Sequence, residues 1–599
     1  MSDTTARSRA PSPAQAVSRA RALLSGGRRA EAGALLRQVL YRESGHREAR
    51  RLLAGLGPDA RPRPRLGAED RAIRQAVTEA VHAGQWRRVA ELAAPLLGRQ
   101  PLLGDMANAL ALALRHQSRP NEALRVLDHA IRCDPALPDS YVNTAMILRH
   151  TLQFDAALQA ALAGFDVAPD LPAVRMALGH AHFDLEQVSE AETHLRRAAE
   201  LDPANPLAHD ALCRALALLN RLDDLDTALA EAETRCPGDR FLTIHRAGLL
   251  ARRGDPEAAL ALLDGVDLDG LAPETRATAA ATRARALDAL GRYDDAFAAF
   301  AEMNARQARV SLTAGGDNPF PAQIEARLAG IGDLPRGGWA PEPDDGWTPV
   351  FLVGFPRSGT TLLDTLLRSH GACAVTEERP FVDRSLGRGI RPGQEAADLA
   401  ALAPEARAAR RAAYRALYEA DLDAPLGGRR AVDRLPFNML QAAVIARHFP
   451  GARFILALRH PCDCVLSCFM QSFASNPAND TFLDLATAAQ SYDRAFTLWE
   501  ACRERLGLDV VEVRYESVID DVQAALTPVL ERVGLDWHEG MRDHRATARN
   551  RKVIRTASHD QVTRALYRSA ENRWRHYRKH MDPVLPVLAP WADRYGYEI

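Results

Sequence analysis

The sequence predicts two architectures in tandem: an α-solenoid of stacked helix pairs, then a three-layer α/β domain of phosphate-loop (P-loop) type with a central parallel sheet. Three observations predict this. Prolines recur every 34 residues through the first half of the 599-residue chain. Apolar, strand-like runs alternate with longer helical patterns through the second half. Between them, residues 314–348 (AGGDNPFPAQIEARLAGIGDLPRGGWAPEPDDGWT) are rich in Gly, Pro and Asp and hold one short helical pattern, which places a boundary there. The expected organisation is a disordered N-terminus over 1–14, the solenoid over 15–313, a linker over 314–348 and the α/β domain over 349–599.

The repeat comes first along the chain. Pro101, Pro135, Pro169, Pro203 and Pro237 are spaced by 34, and Ala123, Ala157 and Ala191 keep the same step, with Ala259 two periods further on. Segments such as NEALRVLDHAIRCDP and SEAETHLRRAAELDP have the apolar spacing of a one-sided helix followed by a proline stop. That period, with small residues where paired helices touch, is the signature of tetratricopeptide (TPR) repeats. A single helix pair cannot bury its apolar face, so units stack and leave a long concave surface suited to a peptide or protein partner. Between five and eight units are expected between about residues 15 and 310, with PDARPRPRLG (58–67) as an irregular interruption. The alternative is that the array only packs on the second half and sets the geometry of a homodimer.

Composition narrows the classes of function. The formal charge is −1, so no global field recruits nucleic acid. The exception is residues 542–580, where twelve Lys and Arg face Asp543, Asp560 and Glu571. This is either a solvated basic face or a shell for a small polyanion. The first twenty residues lack the apolar core of a secretory signal, and no later run offers the twenty or so apolar residues of a membrane span, so a cytoplasmic protein is expected. Eight cysteines are too few and too irregular for a disulfide framework. Cys462, Cys464 and Cys468 cluster without a CxxC pair or a suitably spaced His, so they read as small buried residues rather than as metal ligands.

The chemistry begins at VFLVGFPRSGTTLLDTLLRSH, residues 350–370. An apolar strand meets a turn carrying Gly354 and Gly359, and a helical pattern follows from Leu362. Backbone N–H groups at such a turn favour an anion. A nucleotide triphosphatase would read G-x-x-x-x-G-K-[ST]. Here Thr360 stands in the lysine position and Arg357 lies inside the loop, which argues against ATP or GTP hydrolysis and leaves a nucleotide kinase without its lysine.

Three strand-like runs each end in a distinctive segment: PRSGTT after VFLVGF, HPCDCVLS after RFILALR, and ESVIDD after DVVEVRY. In this order and spacing, residues 349–580 resemble the sulfotransferases that use 3′-phosphoadenosine 5′-phosphosulfate (PAPS). Within that family they resemble the tyrosylprotein sulfotransferases and the TPR-containing sulfotransferases of bacteria. The resemblance implies that Arg357, Ser358, Gly359, Thr360 and Thr361 cradle the 5′-phosphosulfate, with no metal, and that Arg459 and Ser467 grip the 3′-phosphate, a dianion that a guanidinium fork suits. It implies Glu378, of VTEERP, as the base that takes the acceptor proton, with Glu377 as its neighbour. A phenol has a pKa of about 10, so such a base is useful at neutral pH. In DRLPFN, Arg434 stands where the family has a lysine that stabilises the transferring group.

The closing segment TASHDQVTRALYRSAENRWRHY continues the match. By it Ser558 contacts the bridging region of the donor, Gln561 and Tyr567 line the nucleotide, Tyr515 of VRYES contacts it, and Arg573 replaces a family lysine. Gln471 departs from a basic residue of the tyrosylprotein enzymes, a role that Lys552 or Arg555 could take. The basic stretch then reads as a shell for the donor. The expected activity is PAPS-dependent transfer of a sulfuryl group to an acceptor hydroxyl, with protein or peptide tyrosine favoured and the TPR array recruiting the substrate or a partner. A glycan or small-molecule acceptor is the alternative, and a TPR scaffold with a degenerate transferase domain is the alternative of another class.

Overall fold

The computed structural model describes residues 12–43, 45–57, 66–340, 346–545, 547 and 570–599. By contacts the chain divides into two units, residues 1–245 and 246–599.

In the first unit, α1 (Pro13–Ser25), α2 (Arg29–Arg42) and α3 (Arg47–Ala54) precede five helix pairs. The pairs are α4 (Ala68–His82) with α5 (Trp86–Arg99), α6 (Gly104–His116) with α7 (Pro120–Cys133), α8 (Pro138–His150) with α9 (Phe154–Val167), α10 (Pro172–Asp184) with α11 (Val188–Leu201), and α12 (Pro206–Leu218) with α13 (Leu222–Arg235). Each periodic proline lies two residues beyond the second helix of a pair, where the helix can no longer continue. The turn inside the pairs repeats as faithfully: Gly84, Ser118, Leu152, Glu186 and Asn220, again 34 apart, all have positive φ. Small residues line the seams, and Ala123, Ala157 and Ala191 are fully buried.

The three leading helices do not simply extend this order. They share a core with Ala136, and α3 packs on α9, where Arg47, Arg50 and Arg51 surround the buried Asp166 at 3.0, 3.5 and 2.7 Å. Burial opposes the Asp166 charge, but hydrogen bonds from Arg47 and Arg51 hold its carboxyl below the usual range. A cavity of about 770 Å³ opens along α5, α6 and α7, lined by Leu97, Leu110, Leu114 and Val126 with Arg125 and His129 at its rim.

The second unit opens with helical residues of repeat type, α14 (Arg240–Arg253, which crosses the division), α15 (Pro256–Asp264), α16 (Pro273–Ala289) and α17 (Tyr293–Ala308), then α18 (Pro319–Gly330). A five-stranded sheet follows: β1 (Val350–Gly354), β2 (Cys373–Val375), β3 (Arg430–Arg434), β4 (Arg453–Leu458) and β5 (Asp509–Arg514), in the order β2-β3-β1-β4-β5 and parallel throughout. The register pairs Val350 with Val432 on one side and Arg453 on the other.

Strands alternate their side chains between two covered faces. On one face Val350, Leu352, Ile455 and Val513 pack against α19 (Thr360–Ser369) and α26 (Val522–Val533). The helices between them are α20 (Glu395–Ala400), α21 (Pro404–Ala420), α22 (Ala442–His448), α23 (Pro461–Phe469), α24 (Leu485–Leu506) and α25 (Tyr515–Asp520), and α27 (Leu585–Arg594) closes the chain. On the other face Phe351 stacks on Phe454 at 5.7 Å, and Trp499 of α24 meets Phe454 edge-on. The sheet order reverses between β1 and β4, so the crevice beyond their carboxyl ends is where such a sheet binds a ligand.

The repeat helices of this unit are bound firmly to the α/β domain. Asn304, 1 % exposed, donates to Phe469 O (2.8 Å), and Phe297 stacks between Phe469 and His580. Asp288 accepts from Arg573 (2.5 Å) and from the Tyr577 hydroxyl (2.6 Å), and Asp294 bonds His580 (2.6 Å).

Candidate active site

β1 delivers the chain into a turn that only particular residues can make. Gly359 sits at φ +97° as the cap of α19, and Arg357 also has positive φ, at +70°. A Cβ on Gly359 would lie 2.8 Å from the Tyr515 ring, and one on Gly354 would lie 2.7 Å from Ala457 O. The turn therefore packs directly on the ends of β4 and β5. The N–H groups of Gly359 and Thr360 bond to no described residue, whereas Leu362 and Leu363 already donate to Gly359 O. Ser358 is buried with its hydroxyl unpartnered among the described residues. Free N–H groups at the positive end of a helix, next to an unsatisfied buried hydroxyl, form a cradle that fits a phosphate or sulfate group.

Arg357, Ser467, Arg459 and Tyr515 close one side of this cradle. Arg357 Nε donates to Ser467 Oγ (3.0 Å), so the loop and α23 are joined. Arg459, at the end of β4, is buried and donates to Arg357 O (3.2 Å) and Ala570 O (2.6 Å), with its guanidinium 5.1 Å from the centre of the Tyr515 ring. Its Nε is buried without a partner among the described residues.

Glu378 and Arg434 meet on the β3 side. Arg434 ends β3, next to Leu352 of β1, and its Nη1 donates to Glu378 Oε1. No part of the Arg434 side chain is exposed, against 30 % of Glu378, so the carboxylate is the member that an incoming group can reach. Burial pushes the Glu378 pKa above the ordinary carboxylate value, with Arg434 pulling it back. For Arg434, burial works against the charge, yet Glu378, Asp364 and Glu377 outweigh it and raise its pKa.

Beside them Asp433 is fully buried, accepting from Tyr414 (2.6 Å) and Asn438 (3.2 Å), and burial raises its pKa to about 7. Sequence reasoning missed Asp364 and Arg368, which bond the same network from α19. The signal available was a lone acid inside the apolar run TTLLDTLL, four residues before an arginine.

Arg573 lies instead on Asp288, and Gln471 turns to Ser472 O. Ser558, Gln561 and Tyr567, with Lys552 and Arg555, fall outside the described residues. Cys462, Cys464 and Cys468 are buried in α23, and burial pushes the first two thiols up to about 12, as expected of inert core residues. Among the described residues no cluster of His, Cys, Asp and Glu could hold a metal, and no helix is long and apolar enough to cross a membrane.

Fold and site together define a helical-repeat protein carrying an α/β domain with a lysine-free, glycine-bearing turn at its switch point. Comparison with known proteins gives these parts their family. Residues 349–539 match the model of the sulfotransferase family, and residues 172–205 match that of the tetratricopeptide repeat.

An uncharacterized protein of Aquifex aeolicus is 28 % identical over 246 residues, 40 % of this chain and 32 % of that protein, so the match spans about a third of its length. Protein-tyrosine sulfotransferase 1 of Danio rerio is 23 % identical over 264 residues (42 % and 72 % of the two chains), and protein-tyrosine sulfotransferase A of Caenorhabditis elegans is 23 % identical over 277 (43 % and 70 %). Among solved structures, a tetratricopeptide repeat protein from Parabacteroides merdae is 16 % identical with a TM-score of 0.33, covering 40 % of this chain and 94 % of its own.

Proposed function

We propose that this protein is a sulfotransferase that moves a sulfuryl group from PAPS to a hydroxyl, with tyrosine of a protein or peptide as the acceptor. The observation that carries the reading is the pairing of a lysine-free anion cradle at Ser358–Thr361 with the Arg434–Glu378 pair, both at the carboxyl end of the sheet. The donor supplies an activated sulfuryl group on a phosphate leaving group. The N–H groups and hydroxyls of Ser358, Gly359, Thr360 and Thr361 hold its 5′ end. Arg459 and Ser467 hold the 3′-phosphate, and Tyr515 lines the nucleotide.

Glu378 takes the acceptor proton as the acceptor O–S bond forms and the S–O bond to the phosphate breaks, leaving adenosine 3′,5′-bisphosphate. Arg357 and Arg434 supply fixed positive charge beside the group in transit. By the family match Ser558, Gln561 and Tyr567 complete the donor site, and Arg573, held by Asp288, flanks it. The names of the curated relatives favour a tyrosine acceptor, and the repeats offer a surface to present it. The cavity along α5–α7 is one place for a partner peptide.

The test is transfer of ³⁵S from labelled PAPS into cleared host lysate, comparing the wild type with Glu378→Ala. Protease-sensitive macromolecular label that the variant loses supports the reading. Label only in glycans or small molecules moves the acceptor to those classes, and no transfer at all favours a scaffold.

A further inference from the structure

One guanidinium serves three carboxylates at the end of β3. Arg434 Nη2 donates to Asp364 (2.9 Å) and Glu377 (3.3 Å), while Nη1 donates to Glu378. Asp364 is wholly buried and also accepts from Arg368 Nε (2.5 Å), one turn along α19, whose Nη2 reaches Glu377 at 3.5 Å. The reading of Glu378 as base leaves Asp364, Glu377 and Arg368 without a task. Yet a carboxylate held by an arginine of its own is a poor base, because the cation stabilises the ionised form. Dividing the same guanidinium among further carboxylates loosens that hold.

We propose, resting on the transfer reading above, that Asp364 is a positioning residue. From the helix of the anion-binding loop it fixes the Arg434 fork so that Nη1 is delivered to Glu378. By sharing the guanidinium it keeps Glu378 a proton acceptor rather than an inert half of a salt bridge. The forces on Glu378 act in the same sense: burial pushes its pKa up, Arg434 draws it down, and Asp364 and Glu377 push it up again. The arrangement also accounts for arginine at this position. Two terminal nitrogens on a planar fork serve carboxylates on separate elements, which one ammonium nitrogen cannot do without approaching all of them at once.

The experiment is the pH dependence of kcat/KM for sulfuryl transfer in the full-length protein. Asp364→Asn removes one negative charge, so the acid limb should move to lower pH by about one unit, the scale set by a neighbouring like charge. Asp364→Glu, which keeps the charge, should leave the limb near its wild-type position. A limb that stays put in Asp364→Asn, with only rate or melting temperature reduced, overturns the proposal. Where Asp364→Asn does not fold, Arg368→Gln gives the opposite test: removing the competing cation should move the limb upward, and no movement refutes the idea.

The ¹³C-carboxyl titration of Glu378 in the ligand-free chain, assigned by its loss in Glu378→Gln, should follow the same shifts without donor or acceptor. A wild type that transfers nothing would then refute the transfer reading, while the titration still decides on Asp364.

Discussion

Gly359→Ala tests whether the loop geometry, rather than its composition alone, makes the anion cradle. Two costs fall on this substitution. An L-residue held at φ +97° in the left-handed region costs about 1–2 kcal/mol. The new Cβ would also lie 2.8 Å from the Tyr515 ring, closer than carbon atoms approach, and overpacking of this kind costs about 1–3 kcal/mol. Neither neighbour yields easily, because Tyr515 begins α25 and its ring faces the buried Arg459.

If the strain is relieved by pushing Tyr515 and Arg459 out of line, about 2–5 kcal/mol appears in binding, which is roughly thirty-fold to several-thousand-fold in Kd. Calorimetric titration with adenosine 3′,5′-bisphosphate measures this, and thermal unfolding shows any part taken as lost stability. Gly371→Ala is the control, since Gly371 also has positive φ, +72°, but faces open space. A Gly359→Ala protein that binds within twofold of wild type and melts normally would refute the argument, as would an equal loss in Gly371→Ala.

Glu378→Gln should reduce kcat by about 10²–10⁴ while leaving bisphosphate affinity within a few-fold of wild type, as rapid-mixing turnover and calorimetry would show. Asp433 has its folded pKa raised from an ordinary 3.8 to about 7, so its contribution to stability is full below about pH 4 and is lost as pH rises through 7. The denaturation midpoint of the α/β unit should therefore rise on acidification from pH 8 to 6, and Asp433→Asn should flatten that slope relative to wild type. Asp166→Ala removes the buried carboxylate that Arg47, Arg50 and Arg51 share and should cost about 3 kcal/mol, read as lost hydrogen-exchange protection in α3. Leu152→Gly relieves an exposed leucine held at φ +59° and should slow exchange in α8 and α9 by about 1 kcal/mol equivalent.

The repeat was legible because its period is written in residues with backbone consequences. The five prolines mark helix ends that the structure places two residues earlier. The matching series of left-handed turns was hidden, since only Gly84 in it advertises its φ and Ser118, Leu152, Glu186 and Asn220 do not. VFLVGF, RFILALR and DVVEVRY correspond to β1, β4 and β5, whereas β2 and β3 gave no strand signal. CAV is only three residues long, and RAVDR buries Asp433 and Arg434, so its polarity reads as loop. Among the site residues, the loop was visible locally. The meeting of Glu378 with Arg434, 56 residues apart, was expected only through the family resemblance. Asp364 left only the faint mark of a lone acid in an apolar helical run, and the pairing of Arg573 with Asp288 across 285 residues had no periodic or motif signal at all.

The grip of α16 and α17 on the α/β domain bears on how such a protein can be taken apart. These two helices hold the chain just after Ser467 through Phe469, and the chain around Arg573 through Asp288, so they brace two walls of the same crevice. A recombination joint cut at the start of β1 would strip that brace and expose Phe469 and the Tyr577 hydroxyl. The transplantable cassette therefore begins upstream of Pro273, and a lineage that exchanges its repeats for others must keep this last pair as part of the α/β domain's own architecture.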